Sequence, residues 1–135
     1  MSDTQQTRHL SGVVAYLTLA DAAAAIAFYE RAFAAEVRDR RPTEDGRLMH
    51  CELTINGGAM MLSDSFPEHG MPAMAPQAFS LVINVNDPQA WWQRAVDAGC
   101  EVTMPMEVQF WGDRYGQLRD PFGLAWAING PANPA

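Results

Sequence analysis

Six residues recur with their character intact: "FYERAF" at positions 28–33 lies over "WWQRAV" at 91–96, an offset of 63 residues. Self-similarity at a fixed offset marks a repeated structural unit, so the chain must solve the same packing problem twice. The flanks repeat as well. Before the first helix, "GVVAYLTLAD" alternates Val13, Ala15, Leu17 and Leu19 with Val14, Tyr16 and Thr18 at the period of a strand. Before the second, "FSLVINVND" alternates Phe79, Leu81, Ile83 and Val85 with Ser80, Val82 and Asn84. Asp21 caps the first helix, Asp87 with Pro88 opens the second, and Gly99 closes it.

After each helix come a strand start, "AEVRDR" or "GCEVTMP", and a hairpin. "RLMHCELTI" pairs with "AMMLSD" through "NGG", a strong tight-turn signal, and "RYGQLRD" pairs with "LAWAIN" through "PFG". The order in both copies is strand, helix, three strands, which predicts an α+β fold of two βαβββ modules. Module one covers about 10–64, an unpatterned linker "SFPEHGMPAMAPQ" about 65–77, and module two about 78–130, within a single domain. The tails Met1 to Arg8 and Pro131 to Ala135 read as frayed.

A four-stranded sheet with one helix buries one face and leaves the other for function. Parity puts Met49, Cys51, Leu53 and Ile55 under the helix and Leu48, His50, Glu52 and Thr54 on the open face. Tyr16 shares that face by the same rule. If the two sheets lie side by side and curl, their open faces line one shared cup, the natural ligand site.

Net charge is −7 with no Lys/Arg cluster, which argues against nucleic acid and anionic membranes as partners. No apolar run approaches a membrane span and the N-terminus shows no signal segment, so a cytoplasmic protein is expected. Cys51 and Cys100 read as two buried thiols rather than a disulfide.

The tandem βαβββ pattern, with "YLTLADAAAAIAFYERAF" in copy one and "WGDRYGQLRDPFG" in copy two, resembles the vicinal oxygen chelate superfamily of glyoxalases, extradiol dioxygenases and bleomycin resistance proteins, and within it the PhnB-like branch. The resemblance covers about residues 10–130 and implies a curved eight-stranded half-barrel cup, commonly within a homodimer. It also implies, for the metal enzymes, one divalent ion held by His or Glu from the first and last strands of each module. This chain departs from that pattern: the leading strands offer Tyr16, Ser80 or Val82, and the last strands offer Met61, Ser63 and Ala127. Asp64 is the one carboxylate nearby, and Leu124 stands where the family has a His after its "DPFG".

The expected function is therefore small-molecule binding without the family's usual metal site and with no cofactor. The alternative is a metal-dependent lyase, isomerase or dioxygenase in which His50 and Glu52 supply relocated ligands to a divalent ion. A third possibility is metal-free catalysis with Glu52 as base and Arg114 holding an enolate-like oxygen. His50 and Glu52, two apart on one face, suit an acid–base pair, although a hydrogen-bonded polar pair lining a cavity fits the same spacing. Tyr16, His50, Glu52, Trp111, Arg114, Tyr115 and Gln117 are expected to contact the ligand, with Asp113 orienting Arg114 and the aromatics forming walls. The competing role is a structural brace. Asp120 reads as a turn cap, and His9 and His69 as solvated tail and linker residues.

Overall fold

The computed structural model describes residues 10–133. The expected element order is present. In the first copy, β1 (Ala15–Leu19) leads into α1 (Ala22–Phe33), followed by β2 (Glu36–Pro42), β3 (Leu48–Ile55) and β4 (Gly58–Asp64). In the second, β5 (Leu81–Asn84) leads into α2 (Pro88–Ala98), then β6 (Glu101–Val108), β7 (Asp113–Arg119) and β8 (Ala125–Pro131). Each copy forms its own four-stranded mixed sheet, ordered β1-β4-β3-β2 and β5-β8-β7-β6, with one parallel pair apiece. The chain divides into two compact units at Met74/Ala75, with Arg31–Phe33 of α1 grouped with the second.

Local signals account for the element ends. Asp21 accepts a hydrogen bond from the Ala24 amide at 3.0 Å as the N-cap of α1. Pro88 stands in the first turn of α2 and Gly99 ends it at φ 119°. Asn56 and Gly57, at φ 51° and 80°, make the tight turn between β3 and β4 that "NGG" predicted. The leading strands are shorter than their apolar alternation suggested, since Val13 and Phe79 lie outside them and are exposed. The strand β8 includes Pro131, and the Ala132 carbonyl accepts from Arg114, so the expected fraying does not start at Pro131; Met1 to Arg8, His9, Pro134 and Ala135 lie outside the described residues.

The linker is not structureless throughout. Pro67–His69 forms a 3-10 turn and Phe66 bridges Met71. Arg47, just before β3, holds this segment: its guanidinium meets Glu68 at 2.6 Å and Asp45 at 2.8 Å and stacks over the Phe66 ring at 4.2 Å. Arg47 keeps the Glu68 carboxyl low, at about 2. His69 is exposed, as expected.

Both cysteines are buried free thiols. Burial pushes Cys51 up to about 11 and Cys100 up to about 12. Neither thiol of the folded protein should react with Ellman's reagent at pH 8, and both should react in denaturant; one fast-reacting equivalent in the native protein would contradict this burial. A folded-state pKa above the unfolded one favours the folded state fully below about pH 8.5, the ordinary thiol value, and that contribution is lost as pH rises through the folded values.

No helix among the described residues is long and apolar enough to cross a membrane.

Candidate functional site on the first sheet

The face of the first sheet turned away from α1 carries a connected polar row. Tyr16 sits on β1, half-exposed at 45%, and its hydroxyl lies 3.3 Å from His50 Nδ1. The other ring nitrogen, Nε2, lies 3.2 Å from Glu52 Oε1. The His50 and Glu52 side chains are only 23% and 7% exposed. This is the pair that the two-residue spacing placed on one face, joined by Tyr16 as parity required.

A third member comes from β2. The ligand atoms of Asp39, His50 and Glu52 lie within 4.8 Å of one another. Asp39 is in place because β2 bulges: Val37 pairs with Leu53, but the next pairing is Asp39 with Glu52, leaving Arg38 as the extra residue. Arg38 then donates from Nε to Thr54 Oγ1 at 3.2 Å. Asp39 Oδ2 accepts from Arg41 Nε at 2.8 Å.

A second bulge corrects the parity reading. Arg41 pairs with His50 and Pro42 with Leu48, so Met49 is the extra residue. Beyond it the alternation reverses: Leu48, expected on the open face, is 3% exposed, and Met49, expected under the helix, is 56% exposed. Cys51, Leu53 and Ile55 are buried as predicted. Asp64, the nearby carboxylate, is taken up by structure, accepting the Ala22 amide of α1 at 2.8 Å and the Leu48 amide at 2.7 Å.

On the second sheet, Tyr115 and Gln117 share a face and are joined by a hydrogen bond from Gln117 Nε2 to the Tyr115 hydroxyl at 3.1 Å. Trp111 meets the Tyr115 ring edge-on at 5.7 Å. Gly116 and Leu118 point the other way and are buried, a Cβ on Gly116 falling 2.5 Å from the Trp92 ring. Arg114 follows that second set. Because β7 already begins at Asp113, alternation separates Arg114 from Asp113 and Tyr115. Its Nε donates to the Ala132 carbonyl at 3.3 Å, and it lines a recess of about 400 Å³ with Asp87, Pro88, Gln89, Ala90 and Ala132. Asp113 instead accepts from Asn129 at 3.1 Å. The expected clamp, with Asp113 orienting Arg114 beside the aromatics, is not assembled.

The pairing registers match the two units through the first bulge of each. Tyr16 and Glu52 both oppose Met61, while Val82 and Gln117 both oppose Ala127. Asp39 opposes Glu52 after one bulge, and Met104 opposes Gln117 after another. The second unit thus repeats the frame of the first, with Val82, Met104, Tyr115 and Gln117 where the first has Tyr16, Asp39, His50 and Glu52. At these four matched positions the charged and imidazole side chains belong to the first unit.

Where the metal enzymes of the resembling superfamily draw ligands, the first and last strands, the open faces present Tyr16, Thr18, Met61 and Ser63 in one unit and Val82, Asn84, Ala127 and Asn129 in the other. None is an imidazole or carboxylate, so these positions do not fit that ion.

The family model for the Glyoxalase/Bleomycin resistance protein/Dioxygenase superfamily matches residues 9–128. A Mycobacterium bovis protein, Mb0911c, described as uncharacterized, is 42% identical over 122 residues, which cover 86% of this chain and 80% of that one. Among solved structures, TioX from Micromonospora sp. ML1 is similar at a TM-score of 0.72 and 24% identity, over 90% of this chain and 98% of its own. A PhnB protein from Bacillus cereus is similar at 0.69 and 20%, over 87% and 98%. At those identities the two structures speak for the fold.

Proposed function

We propose that this chain, which belongs to the glyoxalase/bleomycin resistance protein/dioxygenase superfamily, binds a small molecule on the open face of its first sheet, with Tyr16, His50 and Glu52 as the polar contacts. One observation carries the reading: an imidazole and a carboxylate, 23% and 7% exposed, stand hydrogen-bonded on the sheet face that α1 does not cover. Burying such groups costs free energy that hydrophobic side chains at the same positions would not incur, so their retention there suits recognition. Met61, on the same face, and the Tyr16 ring supply apolar surface beside them. The fitting ligand is therefore small and planar or amphipathic, with a hydrogen-bonding group for His50 or Tyr16.

On the second sheet, taken by itself, Tyr115 and Gln117, with Trp111 beside them, offer a neutral row of contacts. Arg114, turned to the α2 side, is left out.

The test is a thermal-shift screen of small carboxylates and planar aromatic compounds, with hits re-measured by calorimetry. His50→Ala and Glu52→Gln should each weaken a hit at least tenfold, about 1.4 kcal/mol, the scale of a hydrogen bond to a charged group. Hits that bind the double variant as tightly as the native protein would sink the proposal.

A further inference from the structure

We propose that Asp39, His50 and Glu52 form a site for one divalent transition-metal ion, on β2 and β3 rather than on the first and last strands. Three features carry this, and the first is the donor set. One imidazole and two carboxylates are ligands that Zn²⁺, Mn²⁺ and Fe²⁺ accept, and their ligand atoms already lie within 4.8 Å of one another. His50 Nε2 and Glu52 Oε1 stand 3.2 Å apart; with bonds of about 2.1 Å to a shared ion, that separation subtends about 100°, between the octahedral and tetrahedral angles. Asp39 closes the set by a side-chain adjustment on β2, an edge strand.

The second feature is the support around the donors. Metal-bound histidines hand their other ring N–H to a hydrogen-bond acceptor, and bound carboxylates are themselves held. Tyr16 stands at His50 Nδ1 and Arg41 at Asp39 Oδ2. The Tyr16 hydroxyl serves both states. With Nε2–H donating to Glu52, Tyr16 donates to Nδ1; with a cation on Nε2, the proton moves to Nδ1 and the Tyr16 oxygen accepts it.

The third is the internal comparison. The second unit keeps the first bulge, between Val102 and Met104, yet presents Val82, Met104, Tyr115 and Gln117 at the matching places. The sheet itself therefore does not demand an imidazole, two carboxylates and a phenol there.

The experiment uses the full chain, stripped with chelator and titrated with Zn²⁺ by calorimetry and with Mn²⁺ by electron paramagnetic resonance. One equivalent should bind. Asp39→Asn and His50→Gln should each weaken it at least tenfold, Tyr16→Phe about tenfold, and Asp45→Asn, on an exposed turn, not at all. Glu52→Gln should weaken it at least tenfold as well; should that variant fail to fold, Asp39→Asn on the sheet edge and His50→Gln decide. No saturation at millimolar metal overturns the proposal, as does binding that Asp39→Asn and His50→Gln leave within threefold, which would mark surface carboxylates only. The site is tested separately from the small-molecule reading: a chain that binds a screened compound yet takes up no metal at millimolar concentration sinks the metal site and keeps the other.

Discussion

Asp120→Ala should lower stability by about 3–5 kcal/mol, a shift of roughly 10–15 °C in melting temperature for a chain of this size. The side chain is 4% exposed and is used at both oxygens. Oδ1 accepts the amides of Phe122 at 2.8 Å and Leu124 at 3.0 Å, and Oδ2 accepts the Trp126 indole N–H at 2.8 Å. Removing the carboxylate strands three donors, two of them on the backbone of the turn that joins β7 to β8. Asn in its place keeps one acceptor for the turn and sets an amide N–H₂ against the indole, so Asp120→Asn should cost less, about 1–2 kcal/mol. Chemical denaturation of the two variants checks the order. Equal, small losses would mean that solvent replaces the carboxylate and that the turn is held by its backbone alone.

That residue was legible as a turn cap because Asp before Pro-Phe-Gly is local chemistry. So were the Asp21 cap, the Asn56–Gly57 turn and the repeated element order, all of which depend on neighbours in sequence. What escaped was set by pairing between strands. Nothing in "AEVRDRRP" or "RLMHCELTI" announces that Arg38 and Met49 are extra residues, since neither bulge contains glycine. Yet one bulge turns Asp39 toward Glu52 and the other sends Leu48 into the core. A two-residue rule applied across a bulge fails for every residue beyond it. Arg114 escaped for a related reason: read as part of a rim loop it kept company with Asp113 and Tyr115, and only its inclusion in β7 turns it away from them. The candidate site was thus half visible, as His50, Glu52 and Tyr16, and its third member needed the register.

The same register exposes two solutions to one helix-start problem. Asp64 in β4 and Gly130 in β8 occupy equivalent positions, one residue beyond the pairs Thr18–Ser63 and Asn84–Asn129. In the first unit the opening residue of α1 is Ala22, whose amide needs an acceptor, and Asp64 provides it. In the second, the opening residue of α2 is Pro88, which has no N–H, so an acceptor would have nothing to receive. Gly130 instead leaves room for the chain itself: a Cβ there would fall 2.1 Å from the Val85 carbonyl oxygen and 2.8 Å from Pro88 Cδ. Gly130→Ala should therefore cost about 3 kcal/mol or more, at the upper end of overpacking substitutions, because the first obstacle is backbone. Adding Pro88→Ala removes the ring contact but not the carbonyl, so the double variant should stay destabilised in urea unfolding. Gly116→Ala offers the contrast, since its nearest obstacle is the Trp92 side chain at 2.5 Å. Trp92→Leu should recover part of that loss. Recovery of Gly130→Ala by Pro88→Ala would show that the helix start, and not the close approach of Val85, keeps this position glycine.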